Sequence, residues 1–598
     1  MLVTLDFETY FDSKLSLTKM TTMDYVRHPE FKVWGVGIKI DDNETQWFNE
    51  TTCKSFIDEI PWSVSTLVCH NTPFDGYILT QIYKHRPKYY IDTAAMARAI
   101  WTGRSASLKE CAIRCWPDDD SMRKGEELIS AKGIRDLPAD IESSLGTYCI
   151  QDVDLTYAVY KKLASSFPKS ELDLIDLTCR MFCEPKLVVN RESLISYRDE
   201  CVIKNEAAIK ASQVERKVLA SNKQFAELLA NRDIVIPTKI SPTTGKEIPA
   251  FGKNDKAFQQ MQKMHPELQH IWDARLAVKS RIAETRAQRF LDATHDDGTI
   301  SVPLRYYAAH TGRFGGTEKI NMQNLPRKSP LRLALQAPKG KLLYVADLSQ
   351  IEARMLAWLA DESELVEQFR AGTDVYSDFA SKVYKKPINK HDHPTERFVG
   401  KTAILGLGYG MGASKFKATL ESGAMGPPMQ VSEQEAIEIV GTYRTSYPGI
   451  PMLWEKLAVK LMSTINPTFF EEWRCLRFTD NSIRLPNGLR LLYNNLRFEN
   501  HQLVYDSRNK ETTWGGRITE NVVQALSRIV ITDSMLGMEK SLDGHVVLTV
   551  HDEIIFMSDN KNPDDTMEQI ISIMCDSPWF APELPLDAEG GYDISYSK

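Results

Sequence analysis

Two apolar runs in this chain each end at an aspartate. Leu342-Leu343-Tyr344-Val345-Ala346 leads into Asp347, and Val546-Val547-Leu548-Thr549-Val550 is followed by His551-Asp552-Glu553. Short runs rich in β-branched and apolar residues predict strands, which places each carboxylate at a strand mouth. Two such strands side by side would bring the carboxylates together. Aspartates paired in this way can hold two divalent cations about 4 Å apart, one activating an attacking hydroxyl and one stabilising the leaving phosphate oxygens. All-oxygen ligands suit magnesium, with manganese able to substitute. The pairing therefore predicts a mixed α/β chain carrying a nucleotidyl-transfer centre.

A chain of 598 residues exceeds one ordinary core and predicts roughly three to four domains. Its net charge of −7 excludes a uniformly basic nucleic-acid coat but not a local basic cleft. The N-terminus lacks a secretory signal pattern and no apolar run reaches membrane-spanning length, so a cytoplasmic protein without a membrane partner is expected. Cys111 and Cys115, like Cys179 and Cys183, stand at helical spacing, but no nearby histidine pair completes a zinc site. Reduced thiols are the expectation.

Short strands (Leu2 to Glu8, Val33 to Ile40, Thr66 to Cys69) alternate with helical stretches up to about Ser166, predicting an α/β domain. Helical patterns from about Glu171 to Phe290, interrupted by a Pro/Gly/Thr-rich loop between Ile236 and Asn254, predict an elongated arm. Strand-like stretches resume at Val302 to Tyr307 and Leu342 to Ala346, helices fill Ile351 to about Ser463, and a mixed segment ends the chain.

A second acidic set lies in the first domain. Asp6 and Glu8 are two apart on a strand, so both side chains point to one face. Asp75 follows the strand Leu67-Val68-Cys69, and Tyr148 and Asp152 share a helix face. Any one of these residues alone is more often a surface acid. As a set, Asp6, Glu8, Asp75 and Asp152 suit two-metal phosphodiester hydrolysis, with Tyr148 orienting the attacking water. The ordered set resembles the proofreading 3′-5′ exonucleases of the DEDD type with tyrosine, which implies an RNase H-like domain over residues 1–166.

Further motifs follow in the order found in family A DNA polymerases, the group of the bacterial polymerase I large fragment, and the resemblance then covers nearly the whole chain. It implies a right hand with a thumb over 167–300, a palm over 301–354 and 464–598, and fingers over 355–463. Thr311-Gly312-Arg313-Phe314 and Asn321-Met322-Gln323-Asn324-Leu325-Pro326 resemble the segment that touches the primer terminus. Arg313 can donate to minor-groove acceptors, and Asn324 belongs to the same DNA-contacting set. In Asp347 to Arg354, Gln350 belongs to the nucleotide-binding set and Glu352 resembles the steric gate that would clash with a 2′-hydroxyl. Arg397, Lys401, Leu405 and Tyr409 are four apart and drift only about 40° per step, forming one helical stripe. Arg397 and Lys401 could clamp a triphosphate, Lys401 could protonate the leaving pyrophosphate, and Tyr409 could stack near the templating base. Glu520-Asn521-Val522-Val523-Gln524 resembles the helix whose glutamine touches the minor groove, and His551 joins the DNA-binding set.

Two positions depart from that pattern. Leu405 replaces a usual Phe or Tyr, and Tyr376 stands where bacterial members tend to have His. Read as one helix from Asp273 to Leu291, Arg275, Lys279, Arg286 and Arg289 fall within about 80° of one another and predict a phosphate-contacting face. The resemblance implies a monomeric replicative polymerase of bacteriophage type. It would act on primer-template DNA and deoxynucleoside triphosphates with two magnesium ions at each site, and no 5′ nuclease domain is expected before Asp6. No motif specifies a replisome or processivity partner. The rivals are a repair or translesion polymerase, and a non-catalytic DNA-binding protein on a degenerate polymerase fold, against which the intact acids stand.

Overall fold

A computed structural model of the chain describes residues 1–124, 130–241, 245–253, 255–423 and 426–597. Asn254 and part of the loop expected between Ile236 and Asn254 lie outside them. The first domain is built on a five-stranded sheet of order β3-β2-β1-β4-β5. These strands are β1 (Leu2–Thr9), β2 (Val33–Ile40), β3 (Gln46–Asn49), β4 (Thr66–Cys69) and β5 (Tyr89–Asp92). β2 pairs antiparallel with β1 and β3, whereas β4 runs parallel to β1 and β5. Helices α1 (Thr72–Gln81) and α2 (Ala139–Ala164) cover the sheet, so β1 is buried on both faces as parallel neighbours require. Gly37 lets α2 approach closely, because a Cβ there would lie 2.9 Å from the Cys149 sulfur.

Helix α3 (Lys169–Cys183) packs on β5 and α1. Although expected to open the arm, it closes the core of the first domain. The arm consists of α4 (Arg191–Ser212) with α5 (Gln269–Lys279) and α6 (Ile282–Ala293) packed along it. Its tip has a separate core in which Phe225, Phe251, Phe258 and Trp272 meet edge to face. The single helix expected from Asp273 to Leu291 is broken at Ser280, whose φ of −118° and ψ of 72° leave the helical region.

The central sheet has the order β7-β8-β6-β9 and is antiparallel throughout. Its strands are β6 (Lys341–Leu348), β7 (His545–Val550), β8 (Glu553–Asp559) and β9 (Ala588–Asp593). The strand expected over Val302 to Tyr307 is reduced to Leu304–Arg305. Helices occupy 351–463 as expected, among them α7 (Ile351–Leu359) and α8 (Pro394–Gly406). Small antiparallel sheets between Phe470 and Thr513 lead into α9 (Gly515–Ser541). One continuous core joins the first domain to the central sheet. All ten cysteines carry free thiols, and among the described residues no helix is long and apolar enough to cross a membrane.

Candidate functional site

Asp347 and Asp552 meet, though not by the pairing expected. The strand carrying Val546 to Val550 is not β6's neighbour; β8 lies between them. Asp552 sits in the two-residue turn between β7 and β8, which folds it back over β6. Asp347 faces Glu553 in register, and the Leu348 amide donates to the Asp552 carbonyl at 3.1 Å. The turn needs His551 at φ 58°, in the left-handed region. Gln323 secures it from both ends, its amide nitrogen donating to the Thr549 carbonyl and its oxygen accepting from the His551 amide at 3.3 Å. Sequence reading gave Gln323 no role, since a motif position does not reveal that its side chain spans to a turn more than 200 residues on. Glu553 points elsewhere. It is buried with Arg332 at 2.9 Å and the Tyr596 hydroxyl, and so braces the sheet.

Beside these aspartates a cleft of about 400 Å³ is lined by Arg313, Gln350, Glu352, Leu405, His551 and Asp552. Glu352 is ion-paired with Arg313 and accepts from the Tyr409 hydroxyl at 3.5 Å. Burial pushes the Arg313 guanidinium below its ordinary value, against the pull of Tyr409, Asp552 and Glu520 nearby. The stripe on α8 holds for Arg397, Lys401 and Leu405, but the helix ends at Gly406 and Tyr409 lies in a following 3-10 turn. Trp454 fixes that turn by donating to the Gly408 carbonyl at 2.8 Å. Arg397 is held bidentate by Asp374 at 2.6 and 3.1 Å and lies 5.2 Å above the Tyr376 ring. Tyr376 is pushed up to about 12, mainly by burial, and shares a hydrogen bond with Gln350. Lys401 is half-buried on the same helix.

The expected basic face on the arm is not continuous. Arg275 is only 3% exposed, donates to the Leu219 carbonyl and lies 4.5 Å over the Phe225 ring; it belongs to the arm-tip core rather than to a phosphate-contacting surface. Arg289 is likewise engaged, pairing with Asp24 of the first domain at 2.7 and 2.9 Å and with Thr21. Lys279 is exposed, and Arg286 donates to the Asn324 carbonyl at 3.3 Å, which keeps it beside the Arg313 segment. Gln524 on α9 faces the same segment, accepting from Thr311 at 3.5 Å.

The acids of the first domain converge. Asp6 and Glu8 on β1 meet Asp75 from α1, which accepts the Phe7 amide at 3.0 Å, and Asp152 and Tyr148 from α2. Burial, then the nearby Asp152 carboxylate, pushes Asp6 up to about 7. Burial chiefly raises Glu8 and Asp75, with Asp6 adding to both, and Tyr148 is raised by burial and by Asp152. Such mutual repulsion is relieved by cations. Ligand atoms of Asp6, Glu8 and Cys149 lie within 4.8 Å of one another. The Cys149 thiol is pushed far up by burial and donates to the Asp6 carbonyl at 3.3 Å, so the donors left are carboxylate oxygens, which fit magnesium or manganese. Lys124 was missed. Its ammonium pairs with Asp152 and lies 5.0 Å over the Tyr148 ring, and no sequence spacing connects it to the acids.

Known proteins resemble this chain in family and in fold. Residues 194–597 match the model of DNA polymerase family A. The chain is 23% identical over its whole length to the DNA polymerase of Bacillus phage SP02, covering 99% of that protein. It is 23% identical to DNA polymerase I of Pseudomonas aeruginosa over 79% of this chain, and spans about half (50%) of that longer protein. Its fold superposes with a TM-score of 0.69 and 20% identity on the POL domain of Pol1 from M. smegmatis in complex with a DNA primer-template and dNTP, covering 100% of this chain and 95% of that one.

Proposed function

Since the chain belongs to DNA polymerase family A, we propose that it is a template-directed DNA polymerase whose first domain is a 3′-5′ proofreading exonuclease, and that it copies phage DNA. The observation that carries the polymerase reading is the backbone adjacency of Asp347 to the Asp552 turn, with Asp552 lining a cleft walled by Arg313, Glu352 and Leu405. The primer 3′-hydroxyl would attack the α-phosphate in line and expel pyrophosphate, with positioning and charge stabilisation doing the catalysis. Bound divalent cations would supply the charge that activates the hydroxyl and stabilises the leaving oxygens, with Asp347 and Asp552 holding them. Glu352 would exclude a 2′-hydroxyl. Lys401 and Arg397 would bind the triphosphate, Arg397 exchanging Asp374 for phosphate oxygens. The exonuclease reading is supported by the convergence of Asp6, Glu8, Asp75, Asp152 and Tyr148 on one buried site. The phage role is supported by end-to-end similarity to the SP02 enzyme.

Primer extension and 3′ trimming measured on the same variants separate the two sites. Asp347→Ala or Asp552→Ala should abolish extension and leave trimming of single-stranded 3′ ends. Asp6→Ala with Glu8→Ala should do the reverse and raise misincorporation. Loss of both activities in a folded single-site variant would count against two independent centres.

A further inference from the structure

The start of α9 lies against the end of the fingers turn, and one tryptophan at that junction remains open. Trp514, the residue before α9, is 53% exposed and has extended backbone, with φ −152° and ψ 169°. A Cβ placed on Gly516 would come 2.5 Å from the Tyr409 carbonyl oxygen and 3.1 Å from the Trp514 indole nitrogen; one on Gly410 would come 3.5 Å from that nitrogen. Gly410 also adopts φ 83°, which side chains avoid. These glycines let the indole lie along the Tyr409–Gly410 backbone. The structural role at this turn is already filled by Trp454, whose indole nitrogen takes the Gly408 carbonyl. Arg517, in the first turn of α9, holds its guanidinium 6.0 Å from the Trp514 ring. Arg517 is itself fixed by the Thr512 carbonyl at 2.8 Å and by Glu511 at 3.2 Å.

We propose that the open face of Trp514 is the stacking platform for the first unpaired template base beyond the templating position. This rests on the reading of the chain as a template-directed polymerase. The hydroxyl of Tyr409 reaches Glu352 in the nucleotide cleft, while its carbonyl borders the Trp514 junction, so a template strand leaving the cleft on this side meets the indole within one nucleotide step. Stacking on an aromatic ring tolerates every base, as a template reader requires, because each base has a π-face. The Arg517 cation beside the ring adds attraction for the strand's phosphates and steadies the indole. Together the platform would hold the next template base out of line until translocation.

Two primer-templates that differ by one nucleotide test this, with binding measured in the absence of divalent cations. In the shorter, the 5′ template overhang ends at the templating base; the longer has one more nucleotide, 2-aminopurine. The wild-type protein should quench the 2-aminopurine and bind the longer DNA more tightly. Trp514→Ala should lose the quench and weaken binding of the longer DNA by about 5- to 150-fold relative to the shorter, and Trp514→Phe should retain most of both. Wild-type protein that binds the DNAs without quenching, or a Trp514→Ala variant that treats the two DNAs as wild type does, overturns the platform alone. Wild-type protein that binds neither DNA overturns the polymerase reading beneath it. If Trp514→Ala fails to fold, the wild-type quench and the Trp514→Phe affinities still decide.

Discussion

Leu405 and Glu352 line the same cleft as Asp552, which under the proposed function would make nucleotide selection a matter of two side chains. Glu352 is held in place by Arg313 and Tyr409, so its carboxylate occupies a fixed volume rather than sweeping through solvent. Glu352→Ala should therefore admit ribonucleotides, because the selection rests on a clash rather than on an attraction. The check is the ratio of incorporation efficiencies for matched ribo- and deoxynucleotides, and an unaltered ratio would put the gate elsewhere. Leu405 acts by what it lacks. A phenol at this position could replace the hydrogen bond that a nucleotide loses along with its 3′-hydroxyl, and leucine offers none. The protein should discriminate against dideoxynucleotides, and Leu405→Tyr should relax that discrimination by one buried hydrogen bond, about 1–3 kcal/mol or about 5- to 150-fold. The assay needs an Asp6→Ala background, since trimming would erase chain termination. Normal extension with an unchanged dideoxy-to-deoxy ratio would show that Leu405 does not face the sugar.

Strand β1 and helix α2 assemble their acids at a cost to stability. Burial and neighbouring carboxylates push Asp6 from 3.8 up to about 7 and hold Glu8 and Asp75 above their ordinary values. Between about pH 4 and 7 the folded metal-free protein thus binds more protons than the unfolded chain, and its stability falls as pH rises through that window. Asp6→Asn with Glu8→Gln should remove the cost, raising the melting temperature in EDTA near pH 8 by roughly 2–8 °C while leaving it little changed near pH 4. Equal melting of variant and wild type near pH 8 would refute the charge-repulsion account. The acids were legible in the sequence because each is tied to an element end or a helical spacing: Asp6 and Glu8 by strand alternation, Tyr148 and Asp152 by one helix turn, Asp347 by the apolar run before it. What was not legible depends on partners remote along the chain. Wheel geometry placed Arg275 and Arg289 on one face, but it assumed a continuous helix through Ser280, which has no Pro or Gly to announce the break. It could not foresee a carbonyl at Leu219 or a carboxylate at Asp24 satisfying those guanidiniums. For the same reason β8 was not foreseen between the two aspartate-bearing strands, since strand order is set by how the whole sheet packs.

Across the whole molecule, the first domain reaches the nucleotide cleft through one buried ion pair. Glu171, on α3, binds Arg528 of α9 through both carboxylate oxygens, and also takes the Tyr306 hydroxyl and the Asn487 amide. Arg528 lies 5.6 Å from the Tyr307 ring and 5.8 Å from that of Phe314, and it lines the cleft with Arg313 and Asp552. A helix that packs on the first sheet thereby sets the position of a side chain lining that cleft. Burial alone would raise the Glu171 carboxyl, but Arg528 and the hydrogen bonds outweigh it and hold the group below its ordinary 4.5. The contribution to stability is then complete above that value and is lost as pH falls through the lower folded one. Removing one partner of such a pair strands the other charge in a low-dielectric site, which typically costs about 3–5 kcal/mol, whereas replacing both with apolar side chains can be nearly neutral. Glu171→Gln should therefore destabilise the protein by about 3–5 kcal/mol and weaken extension, while Glu171→Met with Arg528→Met should recover most of the stability without recovering extension, since no guanidinium remains in the cleft. Denaturant unfolding and primer extension on Glu171→Met, Arg528→Met and the double variant complete the cycle. If the double variant is as unstable as Glu171→Gln, the cost is lost packing rather than a stranded charge. If it extends primers as wild type does, the Arg528 guanidinium plays no part in extension and the pair joins the domains only mechanically.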